Sequence, residues 1–209
     1  EYKGRKVGTM GDAAVFAFYP NKQMTTGEGG IVVTDREDWA ALFRSLRNQG
    51  RDVHDVWLSH SRLGYNYRMD EMSAALGLAQ LCRIEELLAK RERVVQWYNE
   101  RLKDMEGVQI PYVAPTTRMS WFVYVIRVAP EIDRNGVMAA LEERGIPSRP
   151  YFTPTHLQPF YRERFGYREG DFPVTETVAR STLALPFSSV MTEDQVEYVC
   201  ENLMAVLRR

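Results

Sequence analysis

Lys22 is the residue in this sequence best placed to do chemistry. It stands in "FAFYPNKQMTTGEGG", residues 16–30, between an aromatic run and a loop with glycine at positions 27, 29 and 30. An amine at the C-terminal end of a buried strand, flanked by Phe18, Tyr19 and Pro20, is partly desolvated, and desolvation disfavours the ammonium form. A neutral amine condenses with aldehydes, so Schiff-base chemistry is one reading. An ordinary solvated surface charge is the other. The glycines permit positive φ and a close approach of backbone to a bulky ligand. Taken alone, however, "GEGG" lacks the G-x-x-x-x-G-K-[ST] spacing of a phosphate loop. From these residues both readings stay open.

The remaining reactive side chains exclude more than they offer. His54, His60 and His156 have no metal-ligand spacing with a cysteine or carboxylate cluster, so no metal site is expected. Cys82 and Cys200 form no C-x-x-C pair. Both fall on the apolar stripes of expected helices, which reads as buried free thiols in a reducing compartment, the cytoplasm. Lys and Arg number 27 against 28 acids, a formal net charge of -1. That balance argues against a nucleic-acid or membrane-surface partner. No apolar run approaches the roughly 20 residues that span a bilayer. The chain opens on Glu1 with no signal-peptide pattern and no methionine, which leaves room for an upstream segment.

The elements that position Lys22 are legible around it. "DAAVFAFY", residues 12–19, is a continuous apolar run, as expected of a strand covered on both faces. "GGIVVTD", residues 29–35, is a second, β-branched run. Thr34 to Glu37 has capping-box spacing for a helix that carries Trp39, Leu42, Phe43 and Leu46 on one side. From Asp70 to about Met105 the pattern is helical, too long for one ordinary helix, and a break is expected near Cys82–Glu85. A Pro/Thr stretch, with Pro111, Pro115, Thr116 and Thr117, offers the boundary between lobes, giving domains 1–110 and 111–209. The second lobe reads as α+β. "SWFVYVIRV" is a strand with Trp121 in the core, and a helix over 133–144 closes on Gly145. "PSRPYF" is extended, and a helix near 174–182 follows. A final helix starts at a capping box, Thr192 to Gln195, with Val196, Val199, Cys200 and Leu203 on its buried side.

Several separate segments carry a family resemblance. "GDAAVFAFYPNKQMTTGEGG", "LGYNYRMDEMSAALGLAQL", "SWFVYVIRV", "RPYFTPTHLQPFY" and "FPVTETVARSTLALPF" run in order along nearly the whole chain. Together they resemble the DegT/StrS-type pyridoxal-phosphate-dependent sugar aminotransferases, of fold type I. The resemblance implies an α/β fold: the end of a fold type I large domain, followed by a smaller α+β C-terminal domain. It implies that Lys22 holds pyridoxal 5'-phosphate as a Schiff base and then carries protons in catalysis. It implies that Asn66 reaches across a homodimer to the neighbouring subunit's cofactor phosphate, and that His156 lies near the sugar pocket. Tyr151, with Arg149, sits in the same extended piece and could line that pocket or pack the small lobe. On the residues alone, Asn66 could equally be a turn residue and His156 a capped loop histidine. The turn Arg47–Arg51 matches a family loop but reads as a solvated basic helix end.

One position departs from the family pattern: many members have a serine five residues before the lysine, where this chain has Ala17. In the family, the carboxylate that partners the pyridine nitrogen and the aromatic that stacks on the ring lie upstream of the part matched here. The expectation is therefore that these residues form the C-terminal part of a longer enzyme. The activity implied is amino transfer, from glutamate as the usual family donor, to a keto sugar nucleotide. A related subgroup that dehydrates sugars has histidine at the lysine position, and Lys22 argues against it. A cyclitol or similar ketone as substrate, and a non-catalytic dimeric scaffold of the same fold, are the alternatives.

Overall fold

The computed structural model describes residues 1–52, 56, 57 and 59–208. They form two compact units, Glu1–Leu87 with Val113–Ser120 and Leu88–Tyr112 with Trp121–Arg209. The division thus falls inside the long helical stretch, and Pro115, Thr116 and Thr117 return to the first unit while Pro111 stays in the second. No helix among the described residues is long and apolar enough to cross a membrane.

In the first unit, β1 (Ala14–Ala17) and β2 (Gly30–Val33) form an antiparallel hairpin with Ala14 opposite Val33 and Ala17 opposite Gly30. The run expected to be covered on both faces is instead open in this chain, with Val15 73% exposed. Helix α1 (Glu37–Arg47) follows, but its expected capping box does not form. Pairing of β1 with β2 brings the Asp12 carbonyl beside Thr34, whose hydroxyl donates to it at 2.6 Å and accepts from the Arg36 N–H at 3.1 Å. The helix consequently starts two positions later than a Thr34 cap requires, with Arg36 as its N-cap. Helix α2 (Glu71–Leu81) is capped by Asp70, whose side chain accepts from the Ser73 N–H at 2.9 Å. The break expected near Cys82 falls there: α3 begins anew at Ile84 and runs to Leu102.

Apolar residues surround α2 on most sides, the mark of a helix meant to be covered. Here only its Gly77 side is buried, and an added Cβ there would meet the Thr26 methyl at 3.0 Å. Cys82, expected to be buried, is therefore exposed.

The second unit has a four-stranded antiparallel sheet in the order β3 (Val108–Gln109), β4 (Tyr124–Val128), β6 (Thr182–Leu185), β5 (Arg149–Pro150). Its helices are α3 from Leu88 onward, α4 (Arg134–Glu142), α5 (Pro159–Phe165), α6 (Pro173–Ser181) and α7 (Glu193–Leu207), with a 3₁₀ turn at Thr155–Leu157. Tyr124, Ile126 and Val128 alternate inward along β4 onto Val94, Val95, Tyr98, Leu102, Leu183 and Leu203 in one closed core. Gly145 takes the left-handed conformation (φ +70°) after α4, and the Thr192–Gln195 capping box forms on α7. Trp121 is buried as expected.

Cys200 is buried on α7, and burial pushes its thiol up to about 12. Because the thiolate is the reactive form, an aromatic disulfide reagent is expected to modify Cys82 at once and Cys200 only on unfolding. Stopped-flow absorbance checks this, and equal rates for the two thiols in the native chain would contradict the core described above.

Candidate active site

The segment that carries Lys22 is held at several points. Tyr19 to Lys22 makes a turn with Pro20 at its second position, closed by the Lys22 N–H on the Tyr19 carbonyl at 2.9 Å. On the far side of Lys22, the Gln23 amide donates to the carbonyl and hydroxyl of Ser120 at 2.9 and 2.7 Å. Two residues on, the Gln80 side chain of α2 accepts from the Thr25 N–H at 3.1 Å and donates to the Thr25 carbonyl. The Lys22 side chain is half-buried. An amine on a loop pinned on both flanks keeps a defined position, which a condensation with a bound aldehyde requires.

The two threonine hydroxyls beside it are already spent. Thr25 Oγ1 donates to the Phe18 carbonyl at 2.9 Å and Thr26 Oγ1 to the Glu28 carbonyl at 2.6 Å. With Ala17 at the position of the family's serine, the donors for a phosphate here would be backbone amides, Asn66 and groups elsewhere. The local side chains thus suit the aldehyde end of a pyridoxal cofactor better than its phosphate end.

Asn66 is exposed, on a strand-like segment docked against the end of α1. Tyr65 N–H donates to the Leu46 carbonyl at 2.6 Å, Tyr67 N–H to the Arg47 carbonyl at 2.9 Å, and Gln49 N–H to the Tyr65 carbonyl at 2.8 Å. The docking depends on two facing glycines. A Cβ on Gly50, at φ +77°, would lie 1.7 Å from the Arg62 carbonyl oxygen, and one on Gly64 would lie 2.1 Å from the Gly50 nitrogen. Gly50→Ala is expected to cost at least roughly 1–2 kcal/mol from the left-handed backbone alone. A denaturation curve without loss of stability would show that the two loops are not held this way.

This docking builds a feature that the reading of Arg47–Arg51 as a solvated turn missed. A cavity of about 680 Å³ opens beside α1, lined by Arg44, Arg47, Arg51, Arg62 and Arg68 against Asp38 and Asp52. Asp52 pairs with Arg62, and Arg68 donates to the Asn48 side chain at 2.7 Å. The Arg51 Nε is buried and has no hydrogen-bond partner among the described residues. Five arginines, two on the last turn of α1 and three on the segments after it, carry no contiguous motif, so only the folded docking reveals them. His60 Nδ1 sits 2.8 Å from the Gln49 carbonyl in the same region, and His54 lies outside the described residues.

Tyr151 and His156 belong to the second unit. Tyr151 is half-buried, stacks on Phe152 at 4.3 Å, and burial raises the pKa of its phenol. Its carbonyl accepts from the Thr182 hydroxyl at 2.6 Å. Arg149 is exposed and donates to the neighbouring Ser148 carbonyl. His156 is 7% exposed, in the 3₁₀ turn, with Nε2 3.0 Å from the buried carboxylate of Glu176. The Gly170 N–H, first, and His156, next, hold that carboxyl below the usual carboxylate range. Glu176 escaped the sequence reading because it lies 20 residues from its partner.

Residues 1–204 match the model of the DegT/DnrJ/EryC1/StrS aminotransferase family. GDP-perosamine synthase of Caulobacter vibrioides is 40% identical over 210 residues, which cover 99% of this chain and 55% of that protein. Among solved structures, DesV of S. venezuelae superposes with a TM-score of 0.89 at 31% identity, covering 100% of this chain and 55% of that one. The PLP form of Spr1654 from Streptococcus pneumoniae gives 0.91 at 26% identity, covering 99% and 54%. The chain spans about half the length of the curated relatives it matches.

Proposed function

This chain belongs to the DegT/DnrJ/EryC1/StrS aminotransferase family, and from that premise we propose that it serves a pyridoxal-phosphate-dependent transfer of an amino group to a keto sugar nucleotide. The observation that carries the reading is Lys22, half-buried on a loop pinned at Gln23 and Thr25. Pyridoxal phosphate, when bound, supplies an aldehyde for covalent capture of amines and an electron sink for the carbon that loses its proton.

The rest of the chemistry belongs to the chain. Lys22 Nζ holds the cofactor covalently and yields its place to the amino donor, for which glutamate is the family's usual choice. The freed Nζ takes the proton from the donor Cα. In the return half-reaction it delivers a proton to the sugar carbon that receives the amine. The loop contacts of Gln23 and Thr25 keep Nζ in reach through both halves.

Asn66, exposed at the end of the docked segment, serves the cofactor phosphate of a second subunit, so the working form is a homodimer. Tyr151 and His156 line the sugar pocket. The arginine cavity supports a diphosphate-linked substrate: five guanidinium groups against two carboxylates, with an Arg51 Nε that has no partner among the described residues, favour a dianionic group. A soluble cytoplasmic setting suits a sugar-nucleotide substrate.

The test is a screen of keto-sugar nucleotides with glutamate by the protein expressed from its whole gene, read by mass spectrometry. An aminated sugar nucleotide is the expected product. Bound cofactor with no amination of any of them would favour a cyclitol substrate or a scaffold.

A further inference from the structure

Glu176 has no part in the chemistry outlined above, yet its setting is unusually constrained. It stands in the first turn of α6, 5% exposed, and ties three separate chain points to that helix. Oε1 faces His156 Nε2 at 3.0 Å and accepts from the N–H groups of Gly170 at 2.9 Å and Phe172 at 3.3 Å, while Oε2 accepts from Gly170 again at 3.1 Å. A carboxylate surrounded by such donors stays ionised and can only accept. The imidazole nitrogen that faces it therefore carries the proton.

In the neutral ring the other nitrogen, Nδ1, is then a lone-pair acceptor. Nδ1 makes no hydrogen bond among the described residues and is not sealed from solvent. Phe172 and Tyr167 pack about the ring at 4.7 and 6.3 Å between centroids. The pair thus fixes a nearly buried ring and leaves one polar edge open. That is the arrangement of a ligand contact held from behind.

Resting on the reading that His156 lines the sugar pocket, we propose that Glu176 is a positioning residue: it locks His156 in the Nε2–H form and presents Nδ1 as the acceptor for a hydroxyl of the sugar. A bare lone pair suits a hydroxyl donor and repels a phosphate oxygen, so the contact belongs to the sugar ring.

Two measurements test this on the whole enzyme. Imidazole ¹⁵N spectra of the wild type are expected to show a protonated Nε2 and a bare Nδ1 for His156. Glu176→Gln is expected to raise KM for the keto-sugar nucleotide by up to roughly tenfold, as loss of one neutral hydrogen bond to the substrate would. Turnover of the amino donor alone, a half-reaction that never meets the sugar, is expected to stay unchanged. A bare Nε2 in the wild type, an unchanged KM in the variant, or equal losses in both half-reactions would overturn the assignment. The last of these is the signature of a merely structural clip. A wild-type enzyme that performs neither half-reaction would overturn the proposed function instead, and the ¹⁵N spectrum would then decide the dyad by itself.

Discussion

Lys22→Ala in the full-length protein is expected to lower amino transfer by roughly 10²- to 10⁴-fold, the range for loss of a positioned proton carrier. In the proposed role Lys22 also holds the cofactor covalently, so the purified variant should lose it on gel filtration while the parent keeps it. The fold should survive, because the substitution leaves in place the contacts of Gln23, Gln80 and the Tyr19 carbonyl that pin the loop. Far-UV dichroism of the variant therefore matches the parent, and absorbance near the cofactor band does not. Full activity in Lys22→Ala would leave the chain without a nucleophile in the proposed role.

The largest stability effect is expected at Tyr98. It is 0% exposed on α3, stacks on Tyr124 at 4.6 Å between centroids, and donates its hydroxyl to the Pro186 carbonyl at 2.7 Å. Burial and neighbouring groups hold both phenols protonated far above their ordinary range. Tyr98→Ala loses the ring, leaves a cavity and orphans the Pro186 carbonyl. Large aromatic truncations of this kind cost about 3–5 kcal/mol. Tyr98→Phe keeps the ring and orphans only the carbonyl, for about 1–3 kcal/mol. Urea denaturation of the two variants should rank them in that order, and Cys200, on the same core, should become reactive in the alanine variant first. Equal and small losses would mean that the core is not organised around this pair.

The local devices that decide single elements were legible in the sequence, and the long-range ones were not. The Thr192–Gln195 box, the Asp70 helix start, the break after α2 and the Gly145 stop each depend on residues within a few positions, and each forms. The Thr34 cap has the same local spacing but loses to a partner 22 positions away, the Asp12 carbonyl that hairpin pairing delivers. Strand β6 has no local signal of its own, because Thr182–Leu185 is short and runs straight out of a helix, and its place in the sheet is set by β4 and β5. The apolar runs of β1 and α2 state that a face is to be covered without saying by what. In this chain Val15 and Met72 are exposed. At the site, Lys22 and Asn66 stand in contiguous motifs, whereas the arginine cavity and Glu176 exist only through contacts between distant segments.

The most direct test of the central claim is where the cofactor becomes attached. Loading the full-length protein with pyridoxal phosphate, reducing it with borohydride and mapping the peptides should place the cofactor mass on Lys22 and on no other lysine. Attachment at a different lysine, or none at all in a protein that aminates sugars, would contradict the account.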